Sequence, residues 1–166
     1  MIHIYYFSGT GNSLFIARKL NESLANSKLI PILNILKNPQ NKVDVEKVIF
    51  VFPVYALTIP LPVRDFLASS DFSSVQYFAA VATRLGLYFN DFKRIDKLLK
   101  TNKLNSYFLL NMGSNDVKIK NYSCPSEEKI QALEILNLSE ISRIIKIIIN
   151  SENSREIDST YLEPEC

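Results

Sequence analysis

Six consecutive residues, Ser8-Gly9-Thr10-Gly11-Asn12-Ser13, carry the clearest chemistry in the chain. Glycines at 9 and 11 allow close backbone approach and φ > 0. The hydroxyls of Ser8, Thr10 and Ser13 add donors. The run follows an apolar stretch and opens a helical pattern. Backbone N–H groups and the helix dipole at such a place favour an anion. No Lys or Arg falls between Ser8 and Leu14, so the anion would be held by neutral donors. That suits a phosphate monoester and not a nucleoside triphosphate. A Walker A loop would end in Gly-Lys-Ser/Thr, and a dinucleotide fingerprint would carry glycine where Leu14 stands. The competing reading is a turn that only caps the helix, with Ser8 or Thr10 as N-cap.

Other chemistries have less material. Cys124 and Cys166 form no Cys-x-x-Cys pair and His3 is the one histidine, which disfavours a zinc centre or an iron–sulfur cluster within this chain. A net charge of +2 gives no nucleic-acid footprint. The apolar start, residues 1–7, lacks the basic lead and length of a signal segment. No run approaches the roughly 18 apolar residues of a membrane span. The expectation is a cytoplasmic protein with reduced thiols.

The elements that must position the loop alternate along the chain. Residues 2–7 are β-branched and aromatic, a buried strand. From Asn12 to about Ala25, Leu14, Ala17, Leu20 and Leu24 recur at helical spacing. Further strands are expected at 29–36, 48–52, 77–83 and 107–112. Helices are expected at 63–68, with prolines at its start, at 91–100, and from 125 to about 150. Residues 113–124 read as a polar loop and 151–166 as a loose tail after one domain, 1–150. Buried strands with helices between them predict an α/β fold: a parallel sheet covered on both faces. Its ligand crevice lies beyond the carboxyl ends of the strands.

Tyr6-Phe7 with the loop 8–13 resembles the phosphate loop of flavodoxins. It is closer still to the flavodoxin-like half of bacterial flavodoxin–ferredoxin fusion proteins. The resemblance extends to Phe52-Pro53-Val54-Tyr55 with Pro60 and Pro62, and to residues 78–83. It implies a flavodoxin-like three-layer sandwich with five parallel strands in the order 2-1-3-4-5. It implies flavin mononucleotide (FMN) as cofactor, with Ser8 through Ser13 on its phosphate. The loops after strands three and four would flank the ring: Pro53, Val54, Tyr55, Ala56 and Leu57 on one side, and Thr83, Arg84 and Gly86 on the other. Tyr55 is the stacking candidate; its bland alternative is a tyrosine covering the sheet end. Gly86 would let the chain pass close to the flavin or flip on reduction.

Arg84 departs from the acidic surroundings usual in flavodoxins. A cation beside the ring would favour the reduced anionic flavin and raise the reduction potential; the bland alternative is a solvated loop arginine. The iron–sulfur region of the fusion proteins does not follow within these residues: either this is a truncated or standalone version, or the iron–sulfur partner is a separate protein. Redox partners, a ferredoxin or a reductase among them, are expected. Lys93, Arg94, Lys97 and Lys100 form either a basic docking face or a solvated helix face. The leading functional expectation is an electron carrier. The alternatives are an FMN-dependent quinone or protoporphyrinogen reductase, and a non-redox phosphate-ligand module.

Overall fold

The computed structural model describes residues 1–37, 42–84, 89, 91–100, 102–112 and 126–155, without the side chains of 129, 130 and 134. Strands β1 (Ile2–Tyr6), β2 (Ser27–Pro31), β3 (Lys47–Pro53), β4 (Tyr77–Arg84), β5 (Ser106–Asn111) and β6 (Ser154–Arg155) form one parallel sheet in the order β2-β1-β3-β4-β5-β6. The first five follow the flavodoxin-like order. β3 and β4 sit at the centre, which is why Val48 through Phe52 and Tyr77 through Ala82 read as continuous apolar runs.

Alternation along β3 sends Phe50 and Phe52 to one face and Ile49 and Val51 to the other. On the first face lie α2 (Ile32–Lys37), α3 (Leu61–Ser69) and α4 (Phe92–Leu98), through Ile32, Phe66 and Ile95. On the second lie α1 (Asn12–Ser23) and α5 (Glu127–Ile149), through Ile16, Leu20, Ile144 and Ile148. Alanines at 79, 80 and 82 in β4 keep that strand thin between the two layers.

Three sequence expectations change. The strand expected at 29–36 ends at Pro31 and continues as α2. Proline removes a ladder donor, and Ile32, Ile35 and Leu36 then meet the core at helical spacing. The five-strand sheet gains β6 from the stretch expected to be loose. There the Ser106 hydroxyl donates to Glu152 O at 2.7 Å and accepts the Ser154 N–H at 2.9 Å, while Arg155 donates to Leu104 O. In α1 the buried positions are Ser13, Ile16, Ala17 and Leu20, and Leu14 is only half-buried.

Tyr5 lies under α3, its ring 4.6 Å from that of Phe66. Burial pushes its hydroxyl up from 10.0 to about 12. The unfolded chain therefore releases this proton first as pH rises. The stability the neutral phenol contributes is whole below the unfolded value and is lost as pH climbs toward the folded one. Tyr77 shifts in the same direction, also by burial. Tyr5→Phe is expected to flatten, without abolishing, the fall in urea midpoint above pH about 10; an unchanged slope would assign the alkaline loss elsewhere.

Candidate functional site

α1 begins directly after the loop that follows β1. Gly11 occupies its N-cap with φ 102° and ψ −24°, and no side chain caps the helix start. Neither Ser8 nor Thr10 is the N-cap. The Ser8 Oγ instead accepts the Gly11 N–H at 3.1 Å, folding the loop on itself. The first helical bond runs from Phe15 N–H to Gly11 O at 2.9 Å, so the Ser13 and Leu14 N–H groups have no acceptor within the helix. A Cβ on Gly11 would meet nothing within 4 Å. The helix start thus faces open space, in the backbone conformation that glycine supplies without strain.

Ser13 reaches the site by another route. Its side chain is 1% exposed, and its hydroxyl lies 2.7 Å from Thr83 Oγ1 at the end of β4. This bond joins residues 70 apart in sequence and fixes the helix start over the sheet. The Val54 N–H donates to Thr83 O at 2.8 Å. The loop after β3, the end of β4 and the loop 8–13 are therefore mutually fixed at one end of the sheet.

Residues 55–58 close a tight hairpin, with Tyr55 N–H to Thr58 O at 3.1 Å and Thr58 N–H to Tyr55 O at 3.0 Å. Its central residues, Ala56 and Leu57, have φ of 48° and 62°. Such turns favour Asn-Gly, and side chains there cost about 1 kcal/mol each. The strained turn is braced from below, where Thr58 Oγ1 bonds Asp91 Oδ2 at 2.5 Å and accepts from Arg94 at 3.0 Å.

Tyr55 is 43% exposed, so it does not cover the core. Its hydroxyl stands where a Cβ on Gly9 would come within 2.3 Å. Its ring meets Phe7 edge-on at 6.2 Å. Arg84 is not a solvated loop residue: it closes β4, is 8% exposed, and donates from Nε to Asn111 Oδ1 at 2.9 Å. Alternation puts it on the face of Ala80 and Ala82, opposite Thr83. Pro53 ends β3, half-buried. Gly86, the polar loop 113–124 and both cysteines lie outside the described residues. Lys93, Arg94, Lys97 and Lys100 are all exposed. Among the described residues no cluster of three His, Cys, Asp or Glu could hold a metal, and no helix is long and apolar enough to cross a membrane.

No protein-family model matches the sequence, and no curated protein matches it. Solved structures do. An azoreductase from Bacillus anthracis superposes with a TM-score of 0.57 at 12% identity, covering 87% of this chain and 97% of that one. A candidate flavoprotein from Bacteroides uniformis gives 0.54 at 16% identity over 68% of this chain and 91% of its own. An FMN-dependent NADH-azoreductase from B. anthracis, solved in complex with FMN, gives 0.50 at 10% identity over 87% and 99%. At these identities the likeness is one of fold.

Proposed function

We propose that the chain binds FMN at the end of β1 and serves as an electron carrier between partner proteins, a ferredoxin or a reductase among them. The observation that carries this reading is the open helix start at Gly11, on a loop without Lys or Arg, fixed beside the loop that follows β3 and the last residues of β4. A phosphate monoester fits there on the Ser13 and Leu14 N–H groups, with Ser8 and Thr10 hydroxyls at its rim. The remaining expected contacts, Gly9, Asn12 and the backbone of Pro53, Val54, Ala56 and Leu57, lie on the same connected loops. Tyr55, standing against Gly9, remains the residue on which the flavin ring would stack. When bound, the flavin supplies one- and two-electron redox chemistry, and the protein supplies position and field. A flavoprotein of the same fold solved with FMN supports the choice of cofactor.

The test is the absorption spectrum of the purified chain with an FMN titration. A yellow protein, or saturable quenching of added FMN, is the expected result. A colourless protein that ignores FMN would leave only the phosphate-module reading. The fold shared with azoreductases favours a second reading, an FMN-dependent quinone or protoporphyrinogen reductase. NAD(P)H-dependent quinone reduction by the chain alone would select it. Within either reading, Arg84 is expected to raise the flavin's reduction potential from its buried position. Arg84→Ala should lower the potential and weaken FMN binding, both measurable by spectroelectrochemical titration. Unchanged values would remove Arg84 from the site.

A further inference from the structure

A groove of about 400 Å3 opens beside Tyr55 on the α3/α4 face of the sheet. That volume is typical of small-molecule sites. Its walls are Phe7, Tyr55, Ile59 and Pro60, and its rim carries Arg64 and Arg94. The Phe7 and Tyr55 rings stand at 86° to each other, forming a corner. A flat ring stacked on one of them meets the edge of the other, both favourable aromatic geometries. Leu61, at the mouth, is 60% exposed and would be covered by an occupant.

The charged residues of the lining are both arginines, and their carboxylate neighbours Asp65 and Asp91 stand outside it. Arg94 is oriented by Asp91 Oδ1, 3.4 Å from its Nε, and by Thr58 Oγ1. Arg64 meets only the exposed Asp65, at 3.8 Å, among the described residues. The start of α3 lies at the same edge and adds the positive end of its dipole. Two forked cations above an aromatic corner match a carboxylate attached to a flat apolar ring. A polyphosphate would find too few donors on these walls.

We propose that this groove is a second small-molecule site, separate from the phosphate loop, which takes a planar aromatic carboxylate. The ring lies between Phe7, Tyr55 and Pro60, and the carboxylate on Arg64 and Arg94. The proposal stands whether or not the chain binds flavin.

The probe is 2-naphthoate, titrated into the full chain by calorimetry, with 2-naphthalenemethanol as its neutral counterpart. Saturable naphthoate binding is expected, about tenfold tighter than the alcohol. Arg64→Glu, an exposed substitution, should abolish that preference while leaving alcohol binding unchanged, which also reports an intact groove. Three results would each overturn the proposal: no saturable binding, equal affinity for acid and alcohol, or an acid preference that survives Arg64→Glu.

Discussion

Gly9→Ala is expected to weaken FMN binding about tenfold, the scale of one lost aromatic contact, with almost no change in thermal midpoint. A second substitution, Tyr55→Phe, should then restore most of the loss. The methyl group added at position 9 would fall 2.3 Å from the Tyr55 hydroxyl oxygen, while the next atom, Cζ, lies at an ordinary 3.6 Å. The backbone is no obstacle, because among the described glycines only Gly11 has positive φ. The conflict is therefore with one oxygen at the end of one side chain. Tyr55 is 43% exposed and can swing away at little cost to the fold. In doing so it leaves the loop 8–13 and takes its ring from the proposed site. Phenylalanine lacks the offending atom, so the double variant can keep the native arrangement. FMN fluorescence titrations over the four-member cycle measure the coupling. Additive effects would show that the Gly9–Tyr55 contact does not govern the site. The single Tyr55→Phe should bind FMN nearly as the parent does, since it retains the ring.

The loop 8–13 and the central strands were readable because each is a local signal. Glycine after a β-branched run breaks a strand, and Val-Ile-Phe-Val-Phe admits few places other than the middle of a sheet. The stretch 29–36 was not separable, since a short apolar run fits strand and helix equally. Only packing of Ile35 and Leu36 against the core decides it. β6 leaves no pattern in two residues and exists because Ser106 and Arg155 bridge to backbone. The site divides in the same way. The loop 8–13 is visible in its residues, but the Ser13–Thr83 bond spans 70 positions and nothing local announces it. The hairpin at Ala56 and Leu57 lacks the Asn-Gly that marks such turns. Arg84 read as a loop residue because charge normally ends a buried strand; here Asn111, its register partner on β5, gives the guanidinium an acceptor.

Lys47 is the most misleading charge in the sequence, and removing it should cost more stability than any other single surface-type substitution. It follows Glu46 at the head of an apolar run and reads as solvated. In the fold it is 8% exposed, and its Nζ donates to Ile148 O at 2.9 Å and Ile149 O at 3.0 Å. These carbonyls end α5; Ile148 O also accepts the Ser151 N–H at 3.2 Å, and Ile149 O has no donor left within the helix. A cation there satisfies them and opposes the negative end of the helix dipole. The ammonium also sits 5.6 Å from the Tyr77 ring centroid, adding a cation–π contact. Lys47→Met keeps the aliphatic stem and its packing but removes both charged bonds, leaving Ile148 O with only the Ser151 N–H and Ile149 O without the lysine. Charged hydrogen bonds of this kind are worth about 2 kcal/mol, which lowers the midpoint of a domain this size by about 4–8 °C. Lys47→Arg should recover part of it, since a guanidinium can still reach the helix end. Because β3 is central and α5 closes the α1 face, unfolding should stay cooperative in every variant. Thermal melts followed by circular dichroism decide the matter. A Lys47→Met midpoint within a degree of the parent would mean that water serves the α5 terminus as well as the lysine does.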